Sequence, residues 1–175
     1  MSSLSIIAGT YRGISLVAPR NRTIHPMSGR MRAALFNMLG DLDGLDILDA
    51  FGGSGAIGIE AASRGANSVV IADINPKAQR IIQQNIETID DSTIRQAKAN
   101  VYSWLDNNHK KYDIIIADPP YEKIDLLNTD KLLRRLRPTG LLVISHPADY
   151  KSGLSLKLVS SGSYAGGNLS FYQNK

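Results

Sequence analysis

Two short strings in this 175-residue sequence combine residue types that can do chemistry. The first runs Asp46-Ile-Leu-Asp-Ala-Phe-Gly-Gly-Ser-Gly-Ala-Ile-Gly58, a glycine-rich turn between an apolar run and a helical pattern. Gly53, Gly55 and Gly58 satisfy G-x-G-x-x-G, a spacing at which absent side chains let a cofactor approach backbone at a helix amino terminus. On spacing alone the same glycines also suit a tight turn with no ligand. Asp73 ends the next apolar run, where a carboxylate can accept hydrogen bonds from two ribose hydroxyls. Together these features predict an adenosine-containing cofactor.

Asp49 separates two classes of such cofactor. A dinucleotide turn must approach a pyrophosphate, and a carboxylate just before the glycines would oppose that charge. S-adenosylmethionine carries no phosphate; its amino group and sulfonium are cationic, so Asp49 becomes an attraction. No Gly-Lys-Ser/Thr string is present, which removes the nucleoside-triphosphate loop.

The second string is Asp118-Pro119-Pro120-Tyr121, placed at the carboxyl end of the apolar run Asp113 to Ala117. The glycine turn and Asp73 are expected at that same edge. Two prolines restrict the backbone and offer no competing N–H, so the Asp118 side chain and the Pro119 carbonyl are expected to converge as acceptors. An exocyclic amine on a nucleobase has two N–H bonds to give such a pair, which leaves its lone pair facing a methyl donor. Tyr121 supplies a ring for stacking, and the ring rather than the hydroxyl is expected to matter.

Parallel strands are expected where short β-rich runs occur, at Ile47 to Ala50, Val69 to Ala72, Ile114 to Ala117 and Leu141 to Ile144. Helices are expected at Ala56 to Arg64 before Gly65, and at Pro76 to Ile86 with Asn75 as N-cap. Two more are expected at Val101 to Asn107 and at Leu126 to Arg137 before Pro138 and Gly140. Strand and helix in alternation imply a parallel α/β sheet with right-handed crossovers. Ser5 to Ala8 and Ile14 to Val17 read as a small hairpin, and a helix is expected from about Gly29 to Leu39. Leu156 to Val159 and Asn168 to Gln173 read as an antiparallel pair across a Gly162 to Gly167 turn region.

The length suits one domain over 1–175, with 1–40 as a basic amino-terminal hairpin and helix and 41–175 as the catalytic core. Zero cysteines exclude a disulfide scaffold, a thiolate metal site and a cysteine nucleophile. His25, His109 and His146 are far apart with no paired acid, so no metal is expected. The amino terminus lacks a charged leader followed by apolar residues, and a cytoplasmic protein is the expectation. Net charge is +4, yet residues 1–40 alone carry Arg12, Arg20, Arg22, Arg30 and Arg32 with no acid. Such a one-signed segment is either an electrostatic footprint for RNA phosphate or a solvated face.

Leu48-Asp-Ala-Phe-Gly-Gly-Ser-Gly-Ala-Ile-Gly-Ile-Glu-Ala-Ala-Ser-Arg-Gly-Ala66, taken with Asp118 to Tyr121, resembles the bacterial family that methylates guanine N2 in small-subunit (16S) ribosomal RNA. Ile6 to Gly13 resembles that family's opening hairpin, Arg30 to Asn37 its first helix, and Leu169 to Tyr172 its last strand. The resemblance implies a Rossmann-like fold with a mostly parallel seven-stranded sheet whose last strand is antiparallel. It implies S-adenosylmethionine held by Asp49, Phe51, Gly52, Gly53, Ser54, Gly55, Asp73, Ile74, Asn100, Val101 and Asp118. Asp118, Pro119, Pro120 and Tyr121 would hold the guanine, and the five arginines would meet RNA in an assembling small subunit, the protein acting as a monomer. The chain departs from the family at His25 to Ala33, where four polar positions change. It also has Asp73 in place of a commoner Glu, and Asn100 where an Asp often faces the adenine amine.

Two other readings stay open on these residues. An amino methyltransferase acting on adenine or cytosine in DNA or other RNA could use the same tetrapeptide. A nicotinamide-dependent oxidoreductase could use the glycine turn, but would leave Asp118 to Tyr121 unexplained.

Overall fold

The computed structural model describes residues 4–19 and 27–174. A small antiparallel pair, β1 (Leu4–Ser5) and β2 (Ser15–Leu16), comes first, followed by helix α1 (Gly29–Leu39). Then β3 (Asp46–Asp49), α2 (Ala56–Ser63), β4 (Ser68–Ala72), α3 (Pro76–Ile89), β5 (Ile94–Ala97), α4 (Val101–Asn107) and β6 (Tyr112–Ala117) alternate. A 3-10 segment (Tyr121–Leu126), α5 (Thr129–Leu133), β7 (Leu136–His146), β8 (Lys157–Tyr164) and β9 (Gly167–Gln173) complete the chain. The main sheet runs β5-β4-β3-β6-β7-β9-β8. Its first five strands pair in parallel, and β9 lies antiparallel between β7 and β8. The chain steps outward from β3 to β5 and then returns to β6, so a switch point lies between β3 and β6, where open sheets of this kind bind ligands beyond the carboxyl strand ends.

The central strands β3, β4 and β6 are apolar on both faces, as a sheet sandwiched between helices requires. Ile47, Ile71, Ile114, Ile116 and Val143 pack toward α1 and α2, whereas Leu48, Val70, Ile115, Leu142 and Ile144 pack toward α4 and α5. Leu4, Ile6 and Leu16 of the amino-terminal hairpin join the first of these layers, so the hairpin shares the sheet's core. Continuing the period-2 alternation past the carboxyl ends puts Asp49, Asp73, Asp118 and Ser145 on the α2 side of one edge. Among the described residues no helix is long and apolar enough to cross a membrane.

Helix α2 is buried along its whole length, Glu60 included. The Glu60 carboxylate accepts from the Ile7 and Ala8 backbone at 2.7 and 3.0 Å and from Arg64 Nε at 2.9 Å, which clamps the hairpin to the helix behind the glycine turn. Helix α3 starts as its sequence predicts, with Asn75 accepting from Lys77 N at 2.9 Å ahead of Pro76. An N-cap of this kind stabilises by about 1 kcal/mol.

Three expectations need correction. No helix spans Leu126 to Arg137; a 3-10 segment and the single turn of α5 replace it, and β7 has already begun at Leu136. Tyr112 pairs with Leu136 but Ile114 with Leu141, so Arg137 to Gly140 form an irregularity in the ladder, with Thr139 at φ 62°. Pro138 and Gly140 sit in that bulge instead of stopping a helix. Ile94 to Ala97, absent from the expected strands, forms the edge strand β5, with Arg95 exposed. The expected Gly162 to Gly167 turn narrows as well, since Gly162 to Tyr164 belong to β8.

Candidate functional site

The glycine turn leaves β3 with its backbone tied to the neighbouring strand. Gly52 N donates to Ala72 O at 2.8 Å and Gly53 N to Asp73 Oδ2 at 2.8 Å. A Cβ on Gly52 would meet Ile71 at 2.4 Å, and one on Gly58 would meet the same side chain at 2.5 Å. Gly53 and Gly55 adopt φ of 57° and 80°. Packing and backbone conformation therefore account for these glycines before any ligand is considered, and the case for a cofactor rests on what surrounds them.

Three carboxylates surround them. Asp73 accepts one backbone N–H on each oxygen, Gly53 N on Oδ2 and Asn75 N at 2.7 Å on Oδ1, which fixes its plane and leaves a lone pair on each for a ligand. Burial raises its pKa above the usual carboxylate range. Asp49 is fully buried at the end of β3; Oδ2 accepts from Gly58 N at 3.1 Å, and Oδ1 has no hydrogen-bond partner among the described residues, although the Phe51 backbone lowers its pKa. Burial and the nearby Asp118 carboxylate push its pKa up to about 7, with Asp73 adding to the rise. Asp118 leaves β6 half-buried, and burial lifts its pKa to about 6 although a hydrogen bond from Ser145 draws it down. No Lys or Arg among the described residues forms an ion pair with Asp49, Asp73 or Asp118. An orphaned carboxylate oxygen beside two other acids fits a cationic ligand and opposes a phosphate.

Pro119 is buried and Pro120 exposed, and Pro120 O accepts from Lys123 N at 2.8 Å to start the 3-10 segment. No hydrogen bond among the described residues uses the Pro119 carbonyl. Tyr121 is half-buried, and its hydroxyl lies 2.8 Å from Ser145 Oγ. The hydroxyl is therefore anchored inside the protein, while the role of the ring stays a proposal. A cavity of about 470 Å³ opens beside Tyr121, lined also by Ile124, Pro147, Asp149 and Tyr150, within the size range of small-molecule clefts.

On the far side of the turn, Phe51 meets Tyr102 edge-on with centroids 6.3 Å apart, and Ile74 is exposed although apolar. Asn100 Oδ1 accepts from Tyr102 N at 2.9 Å and Ser103 N at 3.3 Å, so the cap of α4 uses the acceptor that the sequence assigns to an adenine amine. Its Nδ2 remains as a donor, alongside Val101 N–H at the start of the helix.

The arginines divide. Arg12 and Arg30 are exposed, and Arg20, Arg22 and His25 lie outside the described residues. Arg32 contradicts its assignment to an RNA surface: it is 2% exposed, stands 3.8 Å from Glu60, and donates through NH2 to Ser5 O. It braces α1 against the hairpin. Arg12 and Arg30 keep their assignment as a proposal.

Sequence reasoning missed Ser145 and Glu60. The signals were there, a lone serine inside an apolar strand and a lone acid inside an otherwise apolar helix. His146 is a packing residue, its ring nitrogens 2.8 Å from Pro147 O and from Ser170 Oγ. Among the described residues no group of His, Cys, Asp and Glu is arranged to hold a metal ion.

The chain is similar in sequence and fold to known proteins. "Ribosomal RNA small subunit methyltransferase D" of Buchnera aphidicola (Baizongia pistaciae) is 33% identical over 76% of this chain and 69% of its own. The protein of the same name from Haemophilus influenzae is 32% identical over 82% and 79%. The solved structure of Escherichia coli yhhF matches 99% of both chains at 25% identity with a TM-score of 0.87. Residues 4–173, nearly all of the sequence, match one family, and the chain belongs to it: the family described as Conserved hypothetical protein 95.

Proposed function

We propose that this chain is an S-adenosylmethionine-dependent RNA methyltransferase that methylates the exocyclic N2 amine of a guanine in small-subunit ribosomal RNA. The observation that carries the reading is the meeting of Asp49, Asp73 and Asp118 at the switch point with no paired cation among the described residues. The relatives named as small-subunit ribosomal RNA methyltransferases support the substrate. The turn Gly52 to Gly55 with Phe51, Asp73, Ile74, Asn100 and Val101 would hold the adenosine part, and Asp49 would face the cationic part. S-adenosylmethionine supplies the methyl group, activated by its sulfonium.

Asp118 and the Pro119 carbonyl accept the two N–H bonds of the target amine, which aims the nitrogen lone pair at the methyl carbon. Ionised Asp118 then stabilises the positive charge that develops on nitrogen. Pro120 holds that backbone rigid. Tyr121 walls the cavity into which the base must turn after leaving its stack. Arg12 and Arg30, with Arg20 and Arg22, would grip phosphate. An assembling small subunit is the proposed substrate, the protein working as a monomer in the cytoplasm.

The test is transfer of a tritiated methyl group from S-adenosylmethionine to small-subunit RNA, with the product nucleoside identified by mass spectrometry. The reading predicts 2-methylguanosine. Methyladenosine or methylcytosine would keep the site and remove the guanine assignment, and tight NAD binding without methyl transfer would remove both.

A further inference from the structure

We propose that Ser145 is the positioning residue of this site: its buried hydroxyl joins Tyr121 to Asp118 and so sets the orientation in which the Asp118 carboxylate meets the target amine. The inference rests on the methyl-transfer reading above and goes beyond it, since neither Asp-Pro-Pro-Tyr nor the glycine turn contains this residue.

The placement follows from the sheet. Ile144 of β7 pairs with Ala117 of β6, so the next residue on each strand, Ser145 and Asp118, stand side by side at the carboxyl edge. On its other flank Ser145 pairs with Leu169 of β9, which holds it on a strand bonded from both sides. The residue is 1% exposed. A buried hydroxyl in an apolar strand costs free energy unless it is bonded, and here the Tyr121 hydroxyl is its partner. Its oxygen lies 2.8 Å from that hydroxyl, and the strand register stands it beside the Asp118 carboxylate, whose pKa it lowers. With one proton on each hydroxyl and none on ionised Asp118, one consistent direction results: Tyr121 donates to Ser145, and Ser145 donates to Asp118.

Tyr121 is held from a third side. A Cβ on Gly167, the first residue of β9, would meet the Tyr121 hydroxyl oxygen at 1.9 Å and its ring at 2.7 Å. The tip of the ring is thus caught between β7 and β9, and the chain Tyr121, Ser145, Asp118 is fixed at both ends. The groups facing Asp118 are Asp49 from β3, Ser145 from β7 and Tyr121 from the 3-10 segment, with Asp73 of the β4 end facing Asp49. Of these only Ser145 and Tyr121 are neutral donors at every pH of the experiment, and Tyr121 reaches Asp118 through the Ser145 oxygen. Removing that hydroxyl leaves Asp118 among carboxylates and raises the pH at which it ionises.

The experiment compares wild type with Ser145→Ala, Ser145→Thr and Tyr121→Phe by two readouts. Carbon-13 titration of the Asp118 carboxyl in the free protein should give a midpoint near 6 in wild type. That midpoint should be higher by about half a unit to one unit in Ser145→Ala, restored in Ser145→Thr and intermediate in Tyr121→Phe. The pH profile of kcat should show the same displacement of its acidic limb, with roughly two- to fivefold loss at pH 6, almost none at pH 8, and unchanged KM for S-adenosylmethionine. A Ser145→Ala midpoint equal to wild type, or a loss of kcat equal at every pH, overturns the proposal. Absence of any methyl transfer by wild type would overturn the methyl-transfer reading instead, and the carboxyl titration would still decide the role of Ser145.

Discussion

The two edges of the parallel sheet treat the same residue type in opposite ways. Asp46 and Asp49 stand at the two ends of β3, and Asp113 and Asp118 bracket the apolar centre of β6. At the amino edge, Asp46 accepts from Asn67 and Lys110 at 3.1 Å each and from Arg137 at 2.8 Å, while Asp113 shares the same arginine and takes Asp46 N at 2.8 Å. Burial works to raise the Asp46 pKa, but these partners outweigh it and hold it below the usual range. At the carboxyl edge the acids meet backbone N–H groups, a hydroxyl and one another, and Asp49 rises to about 7. One edge is compensated by the fold itself. The other has no Lys or Arg among the described residues paired with its acids, and a site for a sulfonium is the chemistry that difference describes.

The sharpest way to break this contrast is at Asp118. Asp118→Ala should lower methyl transfer at least a hundredfold while S-adenosylhomocysteine affinity and melting temperature stay near wild type, because the lost group aligns the amine. Next comes Asp73→Ala, which removes acceptors fixed by Gly53 and Asn75 and should weaken S-adenosylhomocysteine roughly 10- to 100-fold by calorimetry. RNA affinity should not follow.

Stability distinguishes the edges with opposite signs. Asp46→Asn should lower the melting temperature by a few degrees at pH 7, about 1 kcal/mol once the exposure of Lys110 and Arg137 is discounted. Because the Asp46 pKa is lowered on folding, that loss should vanish as pH falls below the unfolded value near 4. Asp49→Asn should do the reverse in the ligand-free protein. With a folded pKa raised to about 7, ionisation of Asp49 opposes folding above roughly pH 4, so the variant should gain stability relative to wild type between about pH 4 and pH 7 and level off beyond. Equal responses from the two variants would erase the contrast.

The smallest effect belongs to the arginines. Arg12→Ala with Arg30→Ala should reduce the salt slope of RNA binding by about one to two and leave cofactor affinity unchanged. Arg32→Ala should instead lower thermal stability, since its partners are Glu60 and Ser5 O.

The central strands and the candidate tetrapeptide Asp118 to Tyr121 were legible because parallel strands buried on both faces must be continuously apolar, and a glycine turn or a double proline breaks such a pattern visibly. The edge strand β5 was not, since Arg95 and Gln96 interrupt its two buried residues. The early start of β7 was hidden by Pro138 and Gly140, which mark a helix end and a strand bulge with equal force. Charge pattern grouped Arg32 with Arg30, yet residues two apart on a helix point to nearly opposite faces, and only packing reveals that Arg32 is the one pointing inward. Asn100 and Tyr121 were legible as residues of the edge but not in their hydrogen bonds, which depend on the α4 cap and on Ser145 from a strand far along the chain.

Proton linkage tests the uncompensated edge most directly. S-adenosylmethionine binding is measured by calorimetry at pH 7 in buffers of different ionisation enthalpy, for wild type and for Asp49→Asn. In the free protein Asp49, with its pKa of about 7, is close to half protonated at that pH, and an arriving cation lowers the pKa and expels the proton. The account predicts release of a fraction of a proton in wild type and close to none in the variant. Binding with no proton exchange in either protein, or release that survives in Asp49→Asn, would contradict it.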